Sequence, residues 1–277
     1  MLEDTMAGPV GPAGLRADRR EVHFRGGGFL PVPRRLHSWF GFIVIIGLWQ
    51  AAISFGWVDP VFLPSPASIG AALWALARSG DLWVHLSTSL MRIGSGWIIG
   101  TALGLAVGIA MGLSSVTRAV GMPLVSAIYP IPKIALLPLL ILWLGIGEAP
   151  KIATIASGVF FPTVIATFSG VDSVPRNLIR MGQSFNMPVS AIIAKIVLPS
   201  AMPAILAGFR ISLATALLLV VAAEMIGAQF GIGAFLLTAG NLMQTDDLMA
   251  GVVVLSVLGL GLGAVLTMIE KAFLTWR

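Results

Sequence analysis

Long apolar blocks alternate with short polar connections along this chain. Several blocks reach about 20 residues, enough for a helix to cross the roughly 30 Å hydrocarbon layer of a membrane. The pattern predicts spans over 39–57, 91–113, 120–144, 152–170, 203–227 and 248–273. After the first, a proline-rich turn leads into an amphipathic segment, 69–78, too short to span and expected along the outer surface. Between the last two, 231–244 is semi-apolar but short and reads as a surface or re-entrant helix. The fold class is therefore an all-α membrane protein with about six (five to six) transmembrane helices.

The longest polar interruption, 172–199, reads as two short helices. Asp172 and Ser173 suit N-cap positions, and Pro175 suits the first turn of a helix running to about Phe185. Asn186 stands where a left-handed C-terminal cap is wanted, a conformation Asn tolerates well. Pro188 opens a second helix to about Val197, and Leu198-Pro199 ends it. Two capped helices between spans make a rigid handle that something outside the membrane could push.

Within the spans, small residues and prolines carry the pattern. The second holds Gly94, Gly96, Gly100, Gly104, Gly108 and Gly112, whose spacings of four favour close helix packing. The third holds Pro123, Pro130, Pro132 and Pro138, tolerable only where neighbours or a water-lined cavity satisfy the freed carbonyls. Lys133 falls in that broken span, Glu224 near the outer end of the fifth, and Arg92 at the interfacial start of the second. Burying an ionised group costs at least about 2.5 kcal/mol, so Lys133 and Glu224 are the candidate translocation-pathway residues. Two readings stand for them. In one, Lys133 presents positive potential to a passing anion and Glu224 gates the outer mouth; in the other, both satisfy backbone groups and fix helix packing.

Charge settles orientation. The chain is 57% hydrophobic and only 10% charged, against about 25% charged in soluble domains. Its 17 Lys and Arg are scattered between spans, which argues against a nucleic-acid face. Residues 1–37 carry six arginines, lack the apolar core of a secretory signal, and read as a disordered basic cytoplasmic tail; 38–277 read as the membrane domain. With the N-terminus inside, twelve basic residues lie in the inner segments and two, Arg78 and Lys151, in the outer ones. Both termini and the 172–199 handle are thus expected on the cytoplasmic side. No GxxxxGK[ST] string, metal-ligand spacing or hydrolase elbow occurs, and the absence of Cys excludes thiol chemistry.

The end of the handle resembles a known family. Type I ABC importer permeases carry a cytoplasmic loop with Glu-Ala-Ala, a Gly six residues after the Glu, and Ile-x-Leu-Pro ten residues further on. Ile196, Leu198 and Pro199 match its end; Asn186 takes the Gly position, and Arg180, Met181 and Gly182 take the Glu-Ala-Ala positions. YPIPKIALLPLLILWLGIGEAPKI (129–152) and LPSAMPAILAGFRISLATALLLVVAAEMIG (198–227) are similar to the subfamily importing nitrate, taurine and alkanesulfonates. The resemblance implies a bacterial inner-membrane permease that is not itself an enzyme and holds no cofactor. ATP and Mg would sit in two partner ATPase subunits gripping Arg180, Met181, Gly182, Asn186, Ile196, Leu198 and Pro199. Met187 is a further candidate contact, or apolar filling. It also implies a second permease copy, a periplasmic or lipid-anchored binding protein, surrounding lipids, and a small anion such as a sulfonate or nitrate as cargo; aromatic acids, bicarbonate and vitamin precursors stay open. The alternative, a secondary transporter or channel, would call for inverted repeats or several midplane ionisable residues.

Overall fold

The computed structural model describes residues 35–274, and among these every regular element is helical. The chain divides into two units, Met1–Leu48 and Trp49–Arg277. Of the expected tail, residues 1–34 lie outside the described residues, while 35–37 open helix α1 (Arg35–Ser54). α1 ends at Ser54, three residues before the end of the expected span.

In the second unit, α2 (Pro66–Ser79) is short, as expected. Ser65 Oγ accepts the Ser68 amide at 3.0 Å, Pro66 occupies the first turn, and Gly80 ends the helix at φ +91°. The spans follow: α3 (Asp81–Leu113), α4 (Ser115–Ile128), a 3-10 turn (Lys133–Leu136) running into α5 (Leu137–Leu144), and α6 (Glu148–Asp172). After the handle come α9 (Leu198–Gly227), the short α10 (Ile232–Asn241) and α11 (Thr245–Phe273). Among the described residues four helical stretches are long and apolar enough to cross a membrane, and the pair α4 and α5, bent by 87°, makes a fifth when counted as one broken span. The expected third span is thus a broken one, and the break falls at the Pro130–Pro132 pair.

α6 is the centre: 56% of its most apolar stretch is buried, against 33% or less in the other long spans. It packs on α3 through a regular notch-and-knob seam. Gly96, Gly100, Gly104, Gly108 and Gly112 face Ile155, Val159, Thr163, Thr167 and Val171 in turn. Both rows advance by four residues in the same direction, so α3 and α6 run parallel. The contact is backbone-close: a Cβ on Gly100 would meet the Ala156 carbonyl oxygen at 2.5 Å and the Val159 Cβ at 2.8 Å. Gly94 is off the seam, with open space around it. Parallel neighbours need a return crossing, and the broken α4–α5 span supplies it. α9 runs antiparallel to α6, with Gly208 against Ala166 and Gly158 against Leu219.

The structure moves two boundaries. α3 starts at Asp81, ten residues before the expected span, so Arg92 lies inside a helix and not at its interfacial start. Hydropathy falls over 81–92, but the helix continues: His85, Ser89 and Arg92 bond other elements, and Ser87 and Thr88 donate to the Val84 carbonyl. The second handle helix does not end at Leu198-Pro199. α8 (Val189–Ile192) passes through a π turn (Ile193–Val197) directly into α9. A proline clashes with the carbonyl four residues back; the wider turn accommodates Pro199, with the Leu198 amide bonding the Ile193 carbonyl instead.

Candidate functional site

At the handle end, the chain leaves α6 at Asp172 and forms α7 (Arg176–Ser184), then α8 and the π turn. Asp172 and Ser173 do not cap α7. Asp172 is the last residue of α6 and takes Arg118 Nη1 at 2.8 Å, Ser173 Oγ donates to the Gly170 carbonyl, and the cap position is Pro175. The turn at Asn186 is as expected: φ is +51°. The Asn186 amide bonds Gln183 O at 2.9 Å and the Met187 amide bonds Gly182 O at 3.1 Å, the paired closure of a Schellman cap.

The handle presents two faces. Inward, Ile192 and Val197 pack with Val171, Val174, Ala201 and Ile205, and Ile179, Met187 and Ile196 lie against them. Gly182 is buried because a Cβ there would meet Ile196 Cδ1 at 3.0 Å. Leu198 and Pro199 are half-buried in the joint with α9. Outward, Arg180, Met181 and Asn186 are exposed, and among the described residues no carboxylate lies within ion-pairing distance of Arg180. Phe185 and Val189, 76% and 73% exposed, extend this face; sequence reading missed both, although Phe185 lies four residues after Met181 on one side of α7.

At the opposite end of the spans lies a buried charge cluster. His85, Ser89 and Arg92 occur at spacings of four and three, one stripe on α3. Arg92, 2% exposed, sends Nη1 to Glu224 Oε1 at 2.8 Å and to the Phe230 carbonyl at 2.7 Å. Its Nε and Nη2 fork onto the two oxygens of Glu148, the latter at 2.7 Å. Glu224 is fully enclosed and also accepts Ser89 Oγ at 2.8 Å and the Gly233 amide at 2.8 Å. Ser89 in turn accepts the Ile232 amide at 2.9 Å, and His85 Nδ1 meets both polar groups of the Gly231 backbone at 3.0 Å. Lys151 Nζ donates to Gly147 O at 2.9 Å and lies 3.7 Å from Glu148. Three spans and the turn before α10 are thereby tied at one point.

Lys133 and Glu224 are not brought together. Lys133 Nζ donates to the carbonyls of Ile128 at 2.6 Å and Ile131 at 2.9 Å, and stands 4.4 Å above the Phe161 ring. Those carbonyls belong to the break that Pro130 and Pro132 strip of amide donors. The partner of Glu224 is Arg92. The spacing of His85, Ser89 and Arg92 held the signal for the α3 stripe, but nothing in the sequence joins it to Glu148, 56 residues beyond Arg92.

Residues 100–275 match the sequence family described as "Binding-protein-dependent transport system inner membrane component". The Escherichia coli (strain K12) "Putative aliphatic sulfonates transport permease protein SsuC" is 36% identical over 243 residues, 88% of this chain and 92% of that protein. The protein of the same name from Bacillus subtilis (strain 168) is 36% identical over 234 residues, 84% and 85% of the two chains. The taurine transport system permease protein TauC of Escherichia coli (strain K12) is 33% identical over 239 residues, 84% and 87%. Among solved structures, a chain of the inward-facing MetNI methionine ABC transporter aligns with a TM-score of 0.61 at 21% identity, covering 72% of this chain and 96% of that one. That last likeness is one of fold.

Proposed function

The chain belongs to the binding-protein-dependent transport system inner membrane component family, and on that premise we propose how this ABC importer permease works. Two copies form the path, separate ATPase subunits drive it, and a binding protein delivers a small organic anion of the sulfonate class. The relatives named for aliphatic sulfonates and taurine support that cargo. The twelve-to-two split of basic residues supports cytoplasmic termini and a cytoplasmic handle.

One observation carries the mechanism. The exposed face Arg180–Met181–Phe185–Val189 stands on a Schellman-capped handle that continues, through the π turn, into the 30-residue α9. A push on that face is a push on a transmembrane helix, with no slack loop between. ATPase closure would move α9, and α6 packed against it, as a lever.

The test is reconstitution in lipid. The chain alone should show no ATP hydrolysis. Adding a cognate ATPase and a cognate binding protein should give ATP-dependent uptake of taurine or an alkanesulfonate. Appreciable hydrolysis by the chain alone overturns the assignment of ATP to a partner, and gradient-driven uptake without any ATPase establishes the secondary-transporter alternative.

A further inference from the structure

We propose, resting on the sulfonate reading above, that the outward-facing fork of Arg92 is an anion subsite at the outer mouth, with Glu148 as its resting occupant. The sulfonate head of an arriving substrate takes the place of the Glu148 carboxylate. Arg92 has two unequal sides. Nη1 is locked by Glu224 and the Phe230 carbonyl, and Glu224 is itself fixed by Ser89 and the Gly233 amide. Nε and Nη2, the parallel pair of donors that matches a two-oxygen acceptor, hold Glu148.

Burial separates the two carboxylates. The Glu224 side chain is 0% exposed and that of Glu148 is 43% exposed. Departure of Glu148 into water therefore leaves the guanidinium oriented by its other side. The backbone allows this departure. Glu148 is the first residue of α6, preceded by Gly145 at φ +81° and Gly147 at φ +151°, both with open space around them. Ile146 between them is 95% exposed, so its side chain does not hold the turn, and the side-chain tie on it is Lys151 to the Gly147 carbonyl.

Charge selects the ligand class. Arg92 and Lys151 balance Glu148 and Glu224, and removing Glu148 from the cluster leaves a single positive charge. A monoanion with two or three oxygens restores neutrality, whereas a dianion overshoots. Lys151, 3.7 Å from the Glu148 carboxylate, is placed to meet a further oxygen. The subsite thus favours an organic sulfonate over sulfate.

The experiment uses the full chain in lipid nanodiscs and methanesulfonate as the probe. Glu148→Gln removes the resident charge while keeping one acceptor for Arg92. It should bind methanesulfonate at least about tenfold more tightly than the parent, since a charged competitor has gone. Sulfate should gain less, and Glu148→Asp should gain nothing. Equal methanesulfonate affinity in the parent and in folded Glu148→Gln overturns the proposal. A second readout does not depend on that variant. The chain has no Cys, so Ile146→Cys takes a single nitroxide label beside Glu148. Excess methanesulfonate, with chloride as control, should sharpen its spectrum as the turn is released; an unchanged spectrum also overturns the displacement. Sulfonate uptake by the assembled transporter without any gain in Glu148→Gln removes the subsite alone. Uptake confined to uncharged solutes removes the sulfonate reading itself, and the subsite's transport role with it.

Discussion

The two acidic partners of Arg92 separate burial from pairing at the scale of single residues. Both accept charged hydrogen bonds from one guanidinium, yet one is enclosed by protein and the other half open to water. Breaking an enclosed pair leaves an uncompensated buried charge, at a cost of about 3–5 kcal/mol. Removing Glu148 costs less, because its side is half open and water can reach the donors it frees on Arg92. Glu224→Gln should therefore lower the thermal unfolding midpoint of the lipid-reconstituted chain sharply, and Glu148→Gln only slightly. Similar shifts for the two would show that Glu224 is not the structural half of the cluster. A different residue-scale constraint acts at Asn186, whose φ of +51° closes α7. Asn186→Gly should assemble and transport normally. Asn186→Val places a β-branched side chain in a left-handed turn, about 1–2 kcal/mol or more unfavourable, and should reduce co-purification with the ATPase. Equal behaviour of the two variants would show that the Schellman closure does not hold the handle.

Among elements, the seam between α3 and α6 dominates. Five glycines at spacings of four receive five side chains, four of them on β-branched residues with stiff rotamers (Ile155, Val159, Thr163, Thr167) and the last on Val171, also β-branched. Gly104→Val would drive its Cβ to within 2.7 Å of Thr163 Cβ and 2.9 Å of the Phe160 carbonyl oxygen. Overpacking of this kind costs about 1–3 kcal/mol or more. Gly94→Val, nearly three turns away with nothing within 4 Å, should be neutral in yield and unfolding midpoint; equal losses in both would mean that helix propensity, not the seam, decides. The glycine row was readable in the sequence because small residues at spacing four leave a visible pattern. So were the two handle helices and the turn at Asn186, which rest on local chemistry. The π turn was not, since Pro199 alone says only that a regular helix is disfavoured. Nor was the left-handed Met243 that ends α10 at φ +55°, because methionine has no preference for that conformation. Glu148 and Arg92 escaped for a third reason: they are 56 residues apart, and only the parallel packing of α3 and α6 brings them together.

For the whole molecule, the two ends of α9 hold the two polar constructions, the handle at one and the charge cluster at the other. A helix tied at its far end to α3 and α6 and continuous at its near end with the handle transmits displacement instead of absorbing it. Where the ATPase grips then matters, and Arg180 marks the question. The resemblance puts glutamate at this position, and here an exposed arginine without an ion-pairing partner among the described residues stands in its place. If it meets the ATPase, the facing surface is acidic or neutral. A single exposed charge contact is worth about 1 kcal/mol at most, roughly fivefold in affinity. Arg180→Glu should accordingly weaken assembly and substrate-stimulated ATP hydrolysis several-fold, and a reversed charge on the facing ATPase residue should restore both. Low salt should enlarge the difference, because exposed pairs are screened over about 10 Å. If Arg180→Glu changes neither assembly nor hydrolysis, the arginine faces solvent or lipid phosphates, and the grip passes to Met181, Phe185 and Val189. Those three form an apolar contact with no charge to screen, so Phe185→Ala should then abolish coupling at any salt concentration.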